Sequence, residues 1–99
     1  MVTLYRSASI AAGKTVSALA FAKEIAGYVS QKTGVEVSVA VPVGGNPNRI
    51  GFAARYENLG ALEAAQLKIA ADPHYMDLVT RGAENWIAGS VNDEIWRTI

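Results

Sequence analysis

Side chains of two kinds alternate along residues 49–57. One face of this segment is apolar, and the other combines small and charged side chains. The apolar face consists of Ile50, Phe52, Ala54 and Tyr56, and the other of Arg49, Gly51, Ala53, Arg55 and Glu57. A period of two is typical of a β-strand whose faces meet different surroundings. The pattern predicts a strand that packs against helices on its apolar face.

Three further segments alternate in the same way, at residues 2–10, 35–43 and 91–99. Valine at every second place makes 35–43 the clearest of them, because β-branched residues favour strands. Pro42 places the end of that strand at a sheet edge or beyond its hydrogen-bonded part. The connection at 44–48 is too short for a parallel crossover, so the second and third strands are expected to be antiparallel neighbours.

Helical spacing separates these strands. In residues 16–31 the apolar stripe is Ala18, Ala22, Ile25 and Val29. Thr15 is a candidate N-cap for this helix, and Gly34 is a candidate for the left-handed residue after its end. Asn58 is expected to cap a second helix over 59–71, whose inward residues would be Leu62, Ala65 and Ile69. Asp72 followed by Pro73 predicts a fresh helix start, continuing through Met76, Val79 and Ala83.

The predicted order is βαββαβ, a single ferredoxin-like α+β domain spanning 1–99 with a four-stranded antiparallel sheet and helices on one face. The second face would carry Leu4 and Ile10, or Tyr5, together with Trp96 from the last strand. Pairing two sheets face to face removes such side chains from water at roughly 25 cal/mol per Å² of apolar surface. We therefore expect a homodimer in which two subunits form an α/β barrel.

Composition narrows the classes of function. The 99 residues are 51% apolar and 18% charged, with nine basic and nine acidic side chains and no basic cluster. Nucleic acid and membrane surfaces are therefore not expected as partners. There is no cysteine and one histidine, so thiolate and multi-histidine metal sites are excluded and no metal site is expected. No cofactor is expected either. The N-terminal residues show no secretion signal, and a cytoplasmic location is expected.

Three segments resemble the dimeric α/β-barrel superfamily and, within it, the NIPSNAP-like branch. They are Tyr56-Glu57-Asn58-Leu59-Gly60-Ala61-Leu62-Glu63-Ala64, Ala71-Asp72-Pro73-His74-Tyr75 and Ala88-Gly89-Ser90-Val91-Asn92-Asp93-Glu94-Ile95-Trp96. The resemblance implies two ferredoxin-like subunits whose sheets close into a barrel. The superfamily includes cofactor-free monooxygenases, isomerases, haem-degrading enzymes and ligand sensors, which share no catalytic motif. A haem-degrading member would have an asparagine on the first strand, where this chain has Tyr5-Arg6-Ser7.

Arg6 and Arg55 fall on the two strands that this order makes central neighbours. If they share a face, two guanidinium groups can clamp a carboxylate or an enolate. Alternatively, Glu36, Glu57 or Glu94 neutralises them in a structural network. The candidate ligand-binding set is Arg6, Arg55, Tyr5, Tyr56 and Trp96.

The function predicted from these residues is binding of a small, partly apolar or anionic molecule in an internal cavity of the homodimer. In a cofactor-independent monooxygenase or isomerase, the arginines would hold an enolate or phenolate, and Tyr5 or Tyr56 would position it. No residue stands out as a general base, and His74 is expected on the surface. The alternative is a non-catalytic dimer with a ligand-binding, stress-associated or structural role.

Overall fold

The computed structural model describes residues 1–99. Its elements are β1 (Val2–Ser9), α1 (Thr15–Thr33), β2 (Val37–Ala40), β3 (Arg49–Tyr56), α2 (Leu59–Ala70), α3 (Pro73–Gly82) and β4 (Asn92–Arg97). A 3₁₀ turn, Ala83–Asn85, follows α3. The predicted βαββαβ order is confirmed, with the second helical segment divided into α2 and α3. None of the helices combines the length and apolar character needed to cross a membrane.

The sheet has the strand order β2-β3-β1-β4, and every pair is antiparallel. The central pair runs from Val2 opposite Tyr56 to Ser9 opposite Arg49. The helices cover one face of this sheet, as the side-chain alternation predicted. The fold is therefore ferredoxin-like α+β.

The hydrophobic core is divided into two clusters on the helix side of the β1–β3 pair. One contains Val2, Ala54, Tyr56 and Leu62, and the other contains Ile10, Ala18, Ala22 and Ile50. The register places these clusters at opposite ends of β1, because Val2 faces Tyr56 and Ala8 faces Ile50. The middle of the layer between sheet and helices is consequently less densely filled than its ends.

Most of the predicted helix ends are confirmed. Gly34 has a φ of 74° and its N–H donates to the carbonyl of Ser30, closing α1 as glycine can without steric cost. The Asn58 side chain accepts the N–H of Ala61 at the start of α2. The Thr15 prediction was wrong: Lys14 is the N-cap, it makes no side-chain cap bond, and Thr15 is the first helical residue.

Three predicted boundaries or faces differ from the structure. β2 and β4 are shorter than the alternation indicated: β2 pairs with β3 only from Val37 to Ala40, and β4 pairs with β1 only from Asn92 to Arg97. All six residues of β4 are exposed, and no helix covers this strand. In α3 the buried residues are Leu78 and Gly82, whereas Met76 and Val79 are exposed, as is Ala83 directly after the helix.

Candidate functional site

A cavity of about 500 Å³ lies between the sheet and the three helices, in the gap between the two core clusters. Seventeen residues line it, and 14 of them are hydrophobic. Alanines on facing elements leave the room: Ala54 comes from β3, Ala26 from α1, and Ala65 and Ala70 from α2. Larger apolar walls are supplied by Leu4, Ile25, Val29, Val37, Phe52, Ile69 and Met76.

Arg6 is the charged member of this lining. Its position in β1 lies directly opposite Asp93 of β4. Arg6 Nε is 2.7 Å from Asp93 Oδ1, and Arg6 Nη2 is 2.8 Å from Asp93 Oδ2. Both side chains are partly exposed, at 39% for Arg6 and 37% for Asp93. This two-point hydrogen bond raises the pKa of Arg6 and lowers the pKa of Asp93, so both groups are charged at neutral pH.

Two tyrosines accompany Arg6 in the cavity wall. Interaction with Tyr75 adds to the rise in the pKa of Arg6 that Asp93 causes. Burial raises the pKa of Tyr56, and the nearby Arg6 charge opposes that rise. Tyr56 is therefore a neutral phenol at neutral pH, able to donate or accept a hydrogen bond. The polar end of the cavity thus holds one guanidinium and two phenols.

The five candidate residues divide between the two faces of the sheet. Arg6 and Tyr56 lie on the helix side and line the cavity. Tyr5, Arg55 and Trp96 lie on the opposite, open face, where Thr3 pairs with both Arg55 and Trp96. Arg6 pairs with Phe52, which is three residues from Arg55 along β3, and an odd separation places two side chains on opposite faces of a strand. An Arg6–Arg55 clamp is therefore not formed within one chain.

The expected glutamate partners are also not those that Arg6 uses. Arg6 pairs with Asp93, and Arg55 forms no ion pair within the chain. Glu94 instead accepts a hydrogen bond of 2.9 Å from Trp96 Nε1 on the open face. The register between β4 and β1 decides this outcome, and it cannot be derived from the alternation of either strand alone.

The remaining aromatic residues and the histidine have other surroundings. Trp86 packs edge-on against Phe21, with the ring centroids 6.2 Å apart. His74 is exposed, as predicted, and lies against the Tyr28 ring at 4.7 Å. No group of three or more His, Asp or Glu side chains is arranged to hold a metal ion.

Three polar lining residues were missed by sequence reasoning: Tyr75, Gln66 and Thr33. Tyr75 and Gln66 contribute polar atoms from α3 and α2. Tyr75 lies on the first turn of α3, whose start at Asp72 was predicted, but its direction depends on how α3 crosses α1. A helical-face analysis centred on Leu78 would have been the available signal, because Leu78 and Tyr75 are three residues apart.

Several solved structures have a fold similar to that of this chain. No family model matches the chain, and no curated protein matches it. An uncharacterized NIPSNAP domain protein from Burkholderia xenovorans superposes with a TM-score of 0.85 at 19% identity, covering 100% of this chain and 95% of that one. A NIPSNAP family protein from Agrobacterium tumefaciens gives 0.83 at 17% identity, covering 99% and 92%.

A candidate antibiotic biosynthesis monooxygenase from Nitrosomonas europaea is also similar. Its TM-score is 0.75 at 16% identity, with 100% of this chain and 99% of that chain covered. At such identities the likeness establishes the fold. The chain therefore has the ferredoxin-like α+β fold found in NIPSNAP-domain and related proteins, which confirms at the level of fold the resemblance drawn from the sequence.

Proposed function

We propose that the chain binds a small, largely apolar molecule in the cavity between its sheet and its helices. The observation that carries this proposal is the cavity itself, about 500 Å³ in volume with a mostly apolar wall and one polar end. That volume lies within the range of about 300–1,000 Å³ that is usual for ligand pockets. Arg6, Tyr56 and Tyr75 would orient the ligand, and the alanine-lined centre would hold its apolar body.

Binding is favoured over base catalysis by the chemistry of the wall. The lining contains no aspartate, glutamate or histidine. Tyr56 has a raised pKa and stays protonated, so it is a poor acceptor for a substrate proton. Holding a molecule needs only the shape and the hydrogen-bond donors that the cavity already has.

A second candidate is a cofactor-independent monooxygenase or isomerase. It is favoured by the structural similarity to the candidate monooxygenase from Nitrosomonas europaea. In such a reaction Arg6 and the two tyrosines would stabilise negative charge that develops on a substrate oxygen. Oxygen uptake with 1,5-dihydroxynaphthalene, above the rate without protein and abolished in Arg6→Met, would support it. If the chain binds a ligand but shows no such oxygen uptake, the non-catalytic binding role is retained and the monooxygenase role is rejected.

The binding proposal is tested with Prodan, a neutral naphthalene ketone whose emission shifts to the blue when it leaves water. We expect a saturable shift with the wild-type chain. Ala65→Phe places a ring in the cavity and should abolish the shift. Leu67→Phe is the matched control, since Leu67 lies on the same helix and is 64% exposed. Equal binding by both variants would refute the proposal.

We also propose that two copies associate through the open face of the sheet. Tyr5 and Trp96 project from this face and are 50% and 61% exposed. They lie in neighbouring rows, because Tyr5 pairs with Glu94 and Thr3 pairs with Trp96. Aromatic side chains exposed together are typical of contact surfaces.

Sedimentation velocity tests the association. The wild-type chain and a Val16→Glu control are expected at the dimer mass, because Val16 lies on α1 and is 83% exposed. Trp96→Glu should sediment as a monomer, since the introduced carboxylate would lose its hydration in the contact. A wild-type monomer at micromolar concentration would exclude the dimer, and binding in the cavity could then still be measured.

A further inference from the structure

The Arg6–Asp93 pair gives the polar end of the cavity hydrogen-bond donors without net charge. Arg6 is the only ionisable side chain in the lining apart from the tyrosines Tyr56 and Tyr75. Its charge is compensated by Asp93, which contacts it through both carboxylate oxygens. The other polar lining residues, Thr33 and Gln66, are uncharged.

The geometry of the pair leaves part of the guanidinium free. A guanidinium has five N–H groups, and the bonds to Asp93 involve Nε and one N–H of Nη2. The Tyr75 hydroxyl also interacts with the guanidinium, and the N–H groups not engaged by Asp93 or Tyr75 are left for a ligand. Because two bonds hold the planar group, its orientation is fixed before a ligand arrives, which reduces the entropy lost on binding. Tyr75 lies near the same guanidinium and adds a phenol to this end of the cavity.

We propose that this cavity selects a neutral molecule with a hydrogen-bond-accepting oxygen, such as a ketone, quinone or ester, over a carboxylate of the same size. We further infer that Asp93 determines this preference. The inference rests on the proposed binding function and specifies the class of ligand. A ketone oxygen can accept hydrogen bonds from the free N–H groups of Arg6, and it loses little hydration when it enters the cavity. A carboxylate would lose more hydration and would meet a cation already neutralised by a carboxylate.

Two probes with one naphthalene body separate the alternatives. Prodan carries a neutral ketone, and 6-(dimethylamino)-2-naphthoate carries a carboxylate at the same ring position. With the wild-type chain we expect the ketone to bind at least roughly tenfold more tightly, as measured by fluorescence titration. If neither probe binds, the proposed function and this inference both fail. If both bind and the naphthoate binds as tightly or more tightly, only this inference fails.

Asp93→Asn tests the origin of the preference. Asparagine has the same shape and removes the compensating charge, so the ratio of the two affinities should move by about tenfold toward the naphthoate. Asp77→Asn is the matched control. It removes a carboxylate from the Arg81–Asp77 pair on α3. Neither residue of that pair lines the cavity, so the ratio should stay unchanged.

Two outcomes for Asp93→Asn would contradict the role given to Asp93. An unchanged affinity ratio in a variant with wild-type far-ultraviolet circular dichroism would overturn the assignment to Asp93. Equal movement of the ratio in Asp93→Asn and Asp77→Asn would also overturn it, because the effect would then follow total charge. The wild-type ratio is measured without any substitution, so the selectivity itself does not depend on how the variants fold.

Discussion

The phenol of Tyr28 donates a hydrogen bond of 2.5 Å to Oδ2 of Asp72 and so joins α1 to the start of α3. Asp72 is buried, and its Oδ1 accepts the N–H groups of His74 and Tyr75. Lys32 Nζ lies 3.6 Å from Oδ2. One carboxylate therefore caps α3 and fixes the turn that brings Tyr75 to the cavity.

These contacts predict how stability depends on pH. The Tyr28 hydrogen bond is the main cause that lowers the pKa of Asp72. A carboxyl with a lowered folded pKa contributes stability above its unfolded pKa of about 4, and this stability is lost as pH falls through the folded pKa. Tyr28→Phe should therefore lower the melting temperature at neutral pH, and its difference from wild type should narrow below about pH 4.

Thermal melts followed by circular dichroism at neutral and acidic pH check this dependence. Lys32→Met serves for comparison and should have a smaller effect at neutral pH, because Lys32 is partly exposed and its attraction is screened by water. A deficit in Tyr28→Phe that stays constant across the acid range would contradict the role given to Asp72.

Substitution of Leu78 tests the packing of α3, because Leu78 is the inward residue of α3 that the helical pattern did not identify. It is 1% exposed. Leu78→Ala should reduce the free energy of unfolding by about 2–5 kcal/mol, through lost apolar burial and the space left behind. Leu67→Ala on α2 should change it by less than about 0.5 kcal/mol. Urea denaturation measures both, and similar losses would mean that Leu78 is not a core residue.

Gly82 and Gly27 form a matched pair of helical glycines. A Cβ on Gly82 would lie 2.2 Å from Phe21 Cε1, whereas a Cβ on Gly27 would meet nothing within 4 Å. Gly82→Ala should therefore destabilise the fold by about 1–3 kcal/mol. Gly27→Ala should stabilise it by about 0.5–1 kcal/mol, because alanine favours a helix interior. A stabilised Gly82→Ala would show that α3 does not pack closely on the Phe21 ring.

The two candidate N-caps provide a fourth comparison. Asn58 accepts the N–H of Ala61 at 2.8 Å, so Asn58→Ala should cost about 0.5–2 kcal/mol in urea denaturation. Thr15 is the first residue of α1, after the N-cap Lys14, and makes no cap bond. Thr15→Ala should therefore be neutral or slightly stabilising, because alanine has the higher helix propensity. A similar loss of unfolding free energy in Thr15→Ala would show that Thr15 caps α1, as the sequence predicted.

The parts of the fold that were predicted correctly follow from local sequence patterns. Ile50, Ala54 and Tyr56 are buried on the helix side, as the alternation in residues 49–57 indicated. Asp72 followed by Pro73 does begin α3. Such features depend on residues a few positions apart. The end of β2 was misjudged for the same reason: the valine alternation continues to Val43, but β2 pairs with β3 only as far as Ala40.

The sequence by itself determined the order of the elements, the inward face of the third strand and most of the helix ends, because side-chain period and capping act locally. Only the tertiary structure decided that Arg6 meets Asp93, 87 positions away, and that Arg55 lies on the other side of the sheet. It also decided that a cavity separates the two core clusters. Strand register and the spacing between sheet and helices set these features, and both depend on all the packed elements together.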